Sequence, residues 1–274
     1  GGSEWLALIS AEKAGFLPLL KDHFKDVSGD SRAIDIDSPF GSSVPVSTDI
    51  LDADVLINVP KFKTHPMVGL TGCIKNMFGV VPGLEKAKLH TLTDKMGELM
   101  HFFIKLYAAV TPHLNIVDAV LAMEGEGPSH GKPRRLGKVI AGDNRAEVDV
   151  VMGAMLGLPT ERMRFYKTMQ QEGLGSNRLE DITVIGKFER LRDFALPTIN
   201  RLTADDLKLL FERHGQLKPL LDKDACTRCG GCVEVCFTGA LDMSDYPRID
   251  YDKCIACWCC YEMCPEGAYS LPDA

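Results

Sequence analysis

The chain has 274 residues, of which 45% are hydrophobic and 25% are charged, and its formal net charge is −7. This length suits one large domain with a smaller one, and the composition is that of a globular protein. No apolar run approaches the ~18 residues of a membrane span, and the N-terminus lacks the basic-then-apolar pattern of a secretory signal. We therefore expect a cytoplasmic protein without a membrane partner.

The pattern of apolar residues alternates between strands and helices as far as residue 218. In chain order it predicts strands at 32–37 and 53–59, a helix starting within 71–81, a helix at 93–110, strands at 114–123 and 136–143, helices near 145–157 and 160–172, a strand at 181–187 and a helix at 203–215. The nearly continuous apolar run at 114–123 is typical of a strand buried on both faces. The alternation predicts an α/β domain over residues 1–215, with helices flanking a mostly parallel sheet. Ligand sites in such sheets usually lie at the carboxyl ends of the strands.

A basic segment, VPKFKTHPMVGLTGCIKNMFGVVPGLEKAKLH at 59–90, follows the second predicted strand and holds five lysines, two histidines and one acid. If the strand continues through it, Lys61, Lys63 and His65 lie on one face. Lys75 and Asn76 fall near the first turn of the next helix, for which Thr71 is the candidate N-cap. Because a helix N-terminus offers free N–H groups and a positive dipole end, the segment predicts a site for a small carboxylate or phosphate.

Other interpretations of the basic segment are a solvated face, a nucleic-acid surface or a metal site. A solvated face is the common outcome of a charge run, but these lysines are interleaved with glycine and proline. The overall acidity and the scarcity of arginine argue against a nucleic-acid partner. His65 and His90 would bind a metal only if the fold brought them together.

A glycine-rich loop, EGEGPSHGKP at 124–133, follows the predicted strand at 114–123 and carries Glu124, Glu126, Ser129 and His130. Glycine lets a backbone approach a ligand closely, and it also forms tight turns. The loop alone does not distinguish a binding role from a plain turn.

Nine of the ten cysteines follow residue 225, and eight of them form two C-x2-C-x2-C-x3-C motifs, CTRCGGCVEVC and CIACWCCYEMC. Three cysteines at such gaps can wrap one iron–sulfur cube, whereas the fourth ligates the other cluster of a pair. The motifs therefore predict two [4Fe–4S] clusters with crossed ligand sets: Cys226, Cys229, Cys232 and Cys264 for one, and Cys254, Cys257, Cys260 and Cys236 for the other. Zinc sites favour isolated cysteine pairs, and disulfide scaffolds belong to exported proteins, so both alternatives fit less well.

The cysteine block resembles the bacterial two-cluster ferredoxin domain over residues 219–272, and we assign residues 219–274 to this domain. Phe237 stands where the first motif usually has a proline, which affects the turn but no ligand. Cys259 is interpreted as a spare thiol, and with Trp258 it could alter solvent access to the second cluster.

The basic segment, the stretch DAVLAMEGEGPSHGKP and the stretch AGDNRAEVDVV together resemble the domain-of-unknown-function family 362, over roughly residues 30–190. Members often carry a C-terminal two-cluster ferredoxin module and usually begin with a further βα portion. That portion is not found in this sequence, so the resemblance implies a truncated or short member. The family has no established activity. The site positions that the resemblance implies are Lys61, Lys63, His65, Lys75, Asn76, His90, Asp118, Glu124, Gly125, Gly127, Pro128, Asp143 and Asp149.

Three functional hypotheses follow. In the first, the clusters exchange electrons with a site on the α/β domain that binds a small anion, and the protein is an oxidoreductase of unknown substrate. Lysines 61, 63 and 75 would neutralise the anion and Asn76 would orient it, while His65 or His90 moves protons with Glu124 or Asp118. In the second, the protein is a non-catalytic electron carrier or redox adaptor that docks a redox partner protein through its basic segment. In the third, the clusters are structural or sensing groups.

Overall fold

The computed structural model of the protein describes residues 8, 11–12, 14–27, 29–38, 41–65, 68–82, 96–128, 130–143, 145–197, 218–236, 238–254, 256 and 258–270. Its strands are β1 (Ser31–Ser38), β2 (Gly41–Ser47), β3 (Ile57–Asn58), β4 (Lys61–His65), β5 (Gly69–Thr71), β6 (Leu114–Glu124), β7 (Lys132–Gly142), β8 (Leu220–Leu221), β9 (Leu241–Met243), β10 (Pro247–Ile249) and β11 (Tyr269–Ser270). Its α-helices are α1 (Phe16–Leu20), α2 (Thr48–Leu51), α3 (Cys73–Asn76), α4 (Met96–Ala109), α5 (Glu147–Met155), α6 (Arg164–Gln171), α7 (Gly231–Glu234) and α8 (Cys259–Met263). Short 3-10 helices cover Lys21–His23, Met77–Val80 and Leu179–Asp181. No helix in the described part of the chain combines the length and the apolar character needed to cross a bilayer.

A five-stranded sheet forms the centre of the larger domain, and β6 is its middle strand. On one side β6 pairs in parallel with β3 and then with β4, the second pairing placing Lys61 beside Asp118. On its other side β6 pairs with β7 in antiparallel register, and β5 pairs with β4 in the same sense. The sheet is therefore mixed, and the expectation of a mostly parallel sheet is not confirmed.

Short connections explain the antiparallel pairs. Parallel neighbours need a crossover of about a dozen residues or more, whereas antiparallel neighbours can follow a tight loop. Residues 125–131 join β6 to β7, and residues 66–68 join β4 to β5. Neither connection is long enough for a crossover, and the apolar periodicity of a strand does not record its direction.

Helix α4 supplies much of the core of the larger domain. Its Phe102, Phe103 and Leu106 are buried, and their spacing of three and four residues places them on one face of the helix. Phe78, which follows α3, lies with its ring centroid 6.0 Å from that of Phe102 and 4.9 Å from that of Phe103. Aromatic pairs at such distances contribute about 0.5–1.5 kcal/mol beyond the area they bury, so this cluster holds the end of α3 against α4.

Several predicted strands differ from those observed. The strand at 53–59 is reduced to Ile57–Asn58, with β4 following it as a separate strand. The segment 181–187 is irregular, and Ile185 is 96% exposed, so its apolar alternation does not mark a strand. Strand β6 is buried on one face only, because Val117 and Ala119 are buried while the alternating Ile116, Asp118 and Val120 are not. The helix predicted at 203–215 lies outside the described residues.

The strand predicted at 32–37 forms, but it does not join the central sheet. It is β1, which pairs with β2 in a separate antiparallel hairpin. Ile36, Val44 and Val46 of this hairpin are buried in the core of the larger domain. The hairpin packs against α4 and does not extend the sheet.

The described residues of the C-terminal domain form two short antiparallel strand pairs, β8 with β11 and β9 with β10, and the helices α7 and α8. The buried residues of its hydrophobic cluster, among those described, are Cys232, Leu241, Cys260 and Tyr269. Two of these four are cysteines. A domain of this size with so small an apolar core usually depends on a metal, a cofactor or disulfides for its stability.

Candidate functional site

The predicted basic face on β4 is not an open cationic surface. Lys61 Nζ lies 2.5 Å from Asp118 Oδ2, so the partner strand already neutralises this lysine. Lys63 is half-buried and His65 is fully buried. The three side chains therefore do not converge on solvent, and His65 is not placed to move protons to a dissolved substrate.

Asp118 is poorly suited to donating a proton at neutral pH. Partial burial raises the pKa of its carboxyl, but hydrogen bonds from Lys61 and from the N–H of Val120 outweigh that effect and leave the pKa below its usual value. A general acid is most effective with a pKa near the working pH. The contact with Lys61 thus gives Asp118 a role in pairing β4 to β6.

The N-terminus of α3, predicted to bind an external anion, holds a carboxylate of the chain itself. Asp149, on α5, accepts the Cys73 N–H at 2.5 Å through Oδ1 and the Ile74 N–H at 3.1 Å through Oδ2. Its side chain is buried at 1% exposure. The positive end of the helix therefore stabilises an internal anion, and no room for a substrate remains at this point.

Gly72, and not Thr71, is the N-cap of α3, and Thr71 is a buried residue of β5 whose hydroxyl has no hydrogen-bond partner within the described residues. A Cβ at position 72 would lie 2.2 Å from Asp149 Oδ1. Glycine is needed there because the carboxylate occupies the space that a side chain would fill.

The other two predicted ligands of the anion also have partners within the chain. The Nζ of Lys75 lies 5.5 Å from the ring centroid of Phe103 in a cation–π contact. Asn76 donates to Asn58 at 2.7 Å, Asn58 donates to Asn115 at 2.9 Å, and Asn115 donates to the Tyr107 hydroxyl at 2.9 Å. Asn58 and Asn115 are buried, whereas Asn76 is exposed, and the three amides together form a network that ties α3 to the sheet and to α4.

Neither this amide network nor the role of Asp149 is predicted from the sequence. Asn58 and Asn115 each interrupt an otherwise apolar strand, and a buried amide requires partners. The two asparagines therefore indicate a buried polar network, but the sequence does not show which residues complete it. Asp143 also lies beside the network, because its carbonyl oxygen accepts from Asn115 at 2.7 Å. His90 lies outside the described residues.

The loop at 124–131 is clamped to the end of β4. The Glu124 carboxylate accepts from Arg134 at 2.8 Å and from the Ala195 N–H at 3.1 Å, so Glu124 holds the loop and is not free for proton transfer. Thr64 donates to the carbonyl of Gly125 at 2.8 Å. A Cβ on Gly127 would lie 2.0 Å from the Thr64 carbonyl oxygen. This loop therefore requires glycine for close backbone packing.

The cysteines of the C-terminal domain surround two cavities. Cys226, Cys229, Cys232 and Cys264 line one cavity, together with Tyr269. The other cavity is lined by Cys236, Cys254, Cys259, Cys260 and Trp258 among others, and Cys257 lies outside the described residues. The first cavity thus takes three cysteines of the first motif and the last cysteine of the second. Among the described residues, the other cavity takes the ligand candidates Cys254 and Cys260 of the second motif and Cys236, the last cysteine of the first. This partition supports the crossed ligand sets, which stay a prediction.

The backbone around the two cavities is also suited to an iron–sulfur cluster. Arg228 and Gly230 in the first motif have φ of 61° and 79°, and the corresponding Ala256 and Trp258 in the second have φ of 55° and 62°. Left-handed residues in such turns direct successive N–H groups inward and form concave anion sites found at many iron–sulfur centres. Non-glycine residues rarely adopt this conformation, so its repetition in both motifs points to a shared requirement.

Backbone N–H groups also point at cysteine sulfurs. The Arg228 N–H lies 3.4 Å from Cys226 Sγ, and the Ala268 N–H lies 3.3 Å from Cys264 Sγ. Such hydrogen bonds stabilise thiolates and tune the reduction potential of a bound cluster. Among the described residues, no three histidine, cysteine or acidic side chains converge on a position for a single metal ion. The thiol donors and the inward N–H groups fit a cluster.

Burial of Asp149 predicts a pH-dependent stability. Burial raises the pKa of its carboxyl from the usual 3.8 to about 6, although the N–H bonds from Cys73 and Ile74 oppose the rise. Between these values the folded chain binds a proton that the unfolded chain has lost, so the contribution of Asp149 to stability falls as the pH rises. The interval corresponds to about 3 kcal/mol. We expect the unfolding free energy of the wild type, relative to Asp149→Asn in urea denaturation, to fall by about 2 kcal/mol of this between pH 4 and pH 6.5. A difference that does not change with pH would contradict this role.

Comparisons with known proteins identify both parts of the chain. The family described as Domain of unknown function (DUF362) matches residues 3–154, and a 4Fe-4S dicluster domain matches residues 212–268. A thylakoid-associated protein of Synechocystis sp. is 34% identical over 177 residues, which cover 62% of this chain and 54% of that protein. The chain therefore spans about half the length of this relative. Since the first family covers more than half of the chain, the protein belongs to the DUF362 family and carries a 4Fe-4S dicluster domain in its C-terminal part.

Proposed function

We propose that this protein transfers electrons through two [4Fe–4S] clusters in residues 219–274. Cys226, Cys229, Cys232 and Cys264 hold one cluster, and Cys254, Cys257, Cys260 and Cys236 hold the other. The observation that carries the proposal is the distribution of the cysteines around two cavities, each drawing on both motifs. The matching left-handed turns in the two motifs support it independently.

The residues of the chain bind, shield and tune the clusters. Each cluster supplies one-electron chemistry when bound. The cysteine thiolates fix its position, while the N–H groups of Arg228 and Ala268 stabilise thiolate charge. Cys232 and Cys260 are buried, whereas Cys229 is exposed. The first motif therefore reaches the surface, where a redox partner protein could exchange electrons with it.

Of the three functional hypotheses, we favour an electron carrier or redox adaptor in the cytoplasm over a small-anion enzyme. Asp118 pairs with Lys61, and Asp149 occupies the start of α3. These contacts leave the predicted anion site without support. The α/β domain, which we assign to residues 1–215, then serves to position the two-cluster domain and to bind the redox partner.

A reductive titration tests this function. The anaerobically prepared full chain should take up about two electrons, one per cluster, with loss of the visible cluster absorbance. Reoxidation by a stoichiometric one-electron acceptor should restore the absorbance. Paired cysteine-to-alanine variants that lose both clusters provide the control and should take up none. A chain that contains iron but accepts no electrons would favour the structural hypothesis.

A further inference from the structure

The two cysteine motifs are copies of one pattern, offset by 28 residues, but their non-cysteine residues differ. Gly230 and Val233 of the first copy correspond to Trp258 and Tyr261 of the second. Gly239 and Gly267 correspond to each other, and their backbones agree, with φ of 62° and 64°. The copies therefore share a backbone, while the second copy alone carries two aromatic side chains at these positions.

The second copy contacts loop 124–131 of the larger domain. His130 Nε2 donates to the Tyr261 carbonyl oxygen at 2.8 Å, and the His130 and Tyr261 rings meet edge to face with centroids 4.9 Å apart. The Tyr261 hydroxyl donates to the Glu126 carbonyl at 3.5 Å. Position 267 lies against the same imidazole, because a Cβ there would be 3.0 Å from His130 Nδ1. At position 239 a Cβ would meet nothing within 4 Å.

The same contacts orient one of the cavities. Trp258 lines the cavity that includes Cys236, Cys254 and Cys260, and its ring meets that of Tyr261 edge to face at 5.6 Å. A continuous row of rings thus runs from this cavity to His130. The loop that carries His130 is itself fixed to β4 through Thr64, and to β7 through the contact of Glu124 with Arg134. The row therefore ends on a rigid part of the larger domain.

We propose that loop 124–131 is the docking seat of the two-cluster domain and that His130 is its positioning residue. The seat takes the second copy of the motif through Tyr261 and Gly267. The seat holds the cavity beside Trp258 towards the larger domain. The first copy of the motif then faces a redox partner protein. These contacts depend on the folded two-cluster domain. They are the same whichever way electrons flow through the clusters.

The duplicated glycines provide a matched test in the full chain with its clusters loaded. Gly267→Ala and Gly239→Ala place alanine in the same left-handed backbone, so their intrinsic strain is equal. Only Gly267→Ala adds a methyl group against His130. Hydrogen exchange of the backbone amides at 124–131 and 259–268 measures opening of the seat. We expect Gly267→Ala to accelerate exchange at 124–131 about tenfold and Gly239→Ala to leave it within about twofold of the wild type.

Variants of His130 give a second readout that does not alter the cluster domain. His130→Ala should accelerate exchange in both segments by about tenfold, and His130→Gln, which keeps a donor on a side chain of similar reach, should restore most of the protection. If the two glycine variants accelerated hydrogen exchange equally, or if His130→Ala left exchange unchanged, loop 124–131 would not be the docking seat. Iron measured on the same samples reports separately on the proposed function, because a shortage of iron in the wild type contradicts the clusters and not the seat.

Discussion

Replacing Cys226 and Cys264 together with alanine will remove one cluster, or about four iron atoms per chain, and leave the other cluster in place. These two cysteines belong to different motifs, but they line the same cavity. If both cysteines bind the same cluster, the double replacement should lose little more iron than either single replacement. Iron and acid-labile sulfide, measured per chain after anaerobic reconstitution, check this expectation.

A pair taken from a single motif distinguishes crossed from uncrossed ligation. Replacing Cys226 and Cys236 damages both clusters if the sets are crossed, because these residues line different cavities. If each motif bound its own cluster, this pair would cost only one cluster, and the pair of Cys226 with Cys264 would cost both. Cys259→Ala is the control, since we interpret this residue as a spare thiol and expect unchanged iron.

Replacing Asp149 with alanine will lower the free energy of unfolding by about 2–5 kcal/mol at pH 7, the largest effect we expect in the α/β domain. The substitution leaves the N–H groups of Cys73 and Ile74 buried without an acceptor, and each such group costs about 1–3 kcal/mol. It also leaves a cavity beside the core of the domain. Urea denaturation followed by far-UV circular dichroism measures the change.

Two glycines of the same segment provide the comparison for Asp149. Gly72→Ala should destabilise the protein to a similar degree, because its Cβ would overlap the Asp149 carboxylate. Gly79→Ala, a few residues further along, meets no atom within 4 Å and should change the stability by less than about 1 kcal/mol. Equal stabilities of the two alanine variants would show that the carboxylate is not held against position 72.

The C-terminal part could be predicted from sequence in more detail than the α/β domain. Ligand spacing is a local property, so the motifs from Cys226 and from Cys254 predict both the cofactor and the crossed sets without knowledge of the fold. The helix α4 and the strand β6 were predicted within a few residues for a similar reason, since their apolar periodicity is local.

The basic segment could not be interpreted in the same way, because the role of a charge depends on its partner. Lys61 meets Asp118, which is 57 residues away, and the start of α3 meets Asp149, which is 76 residues from Cys73. Spacing within the segment gives no information about either acid. The pattern did indicate that an anion belongs at a helix start, but not that α5 supplies it. The docking of His130 on Tyr261 spans 131 residues and was inaccessible for the same reason.

The metal content of the full chain, purified without oxygen, tests the central claim most directly. Elemental analysis with acid-labile sulfide should give about eight iron and eight sulfide per chain, as two [4Fe–4S] clusters require. Zinc should be present only in trace amounts. Fewer than about four iron per chain, or tightly bound zinc in their place, would contradict the assignment of both cavities to iron–sulfur clusters.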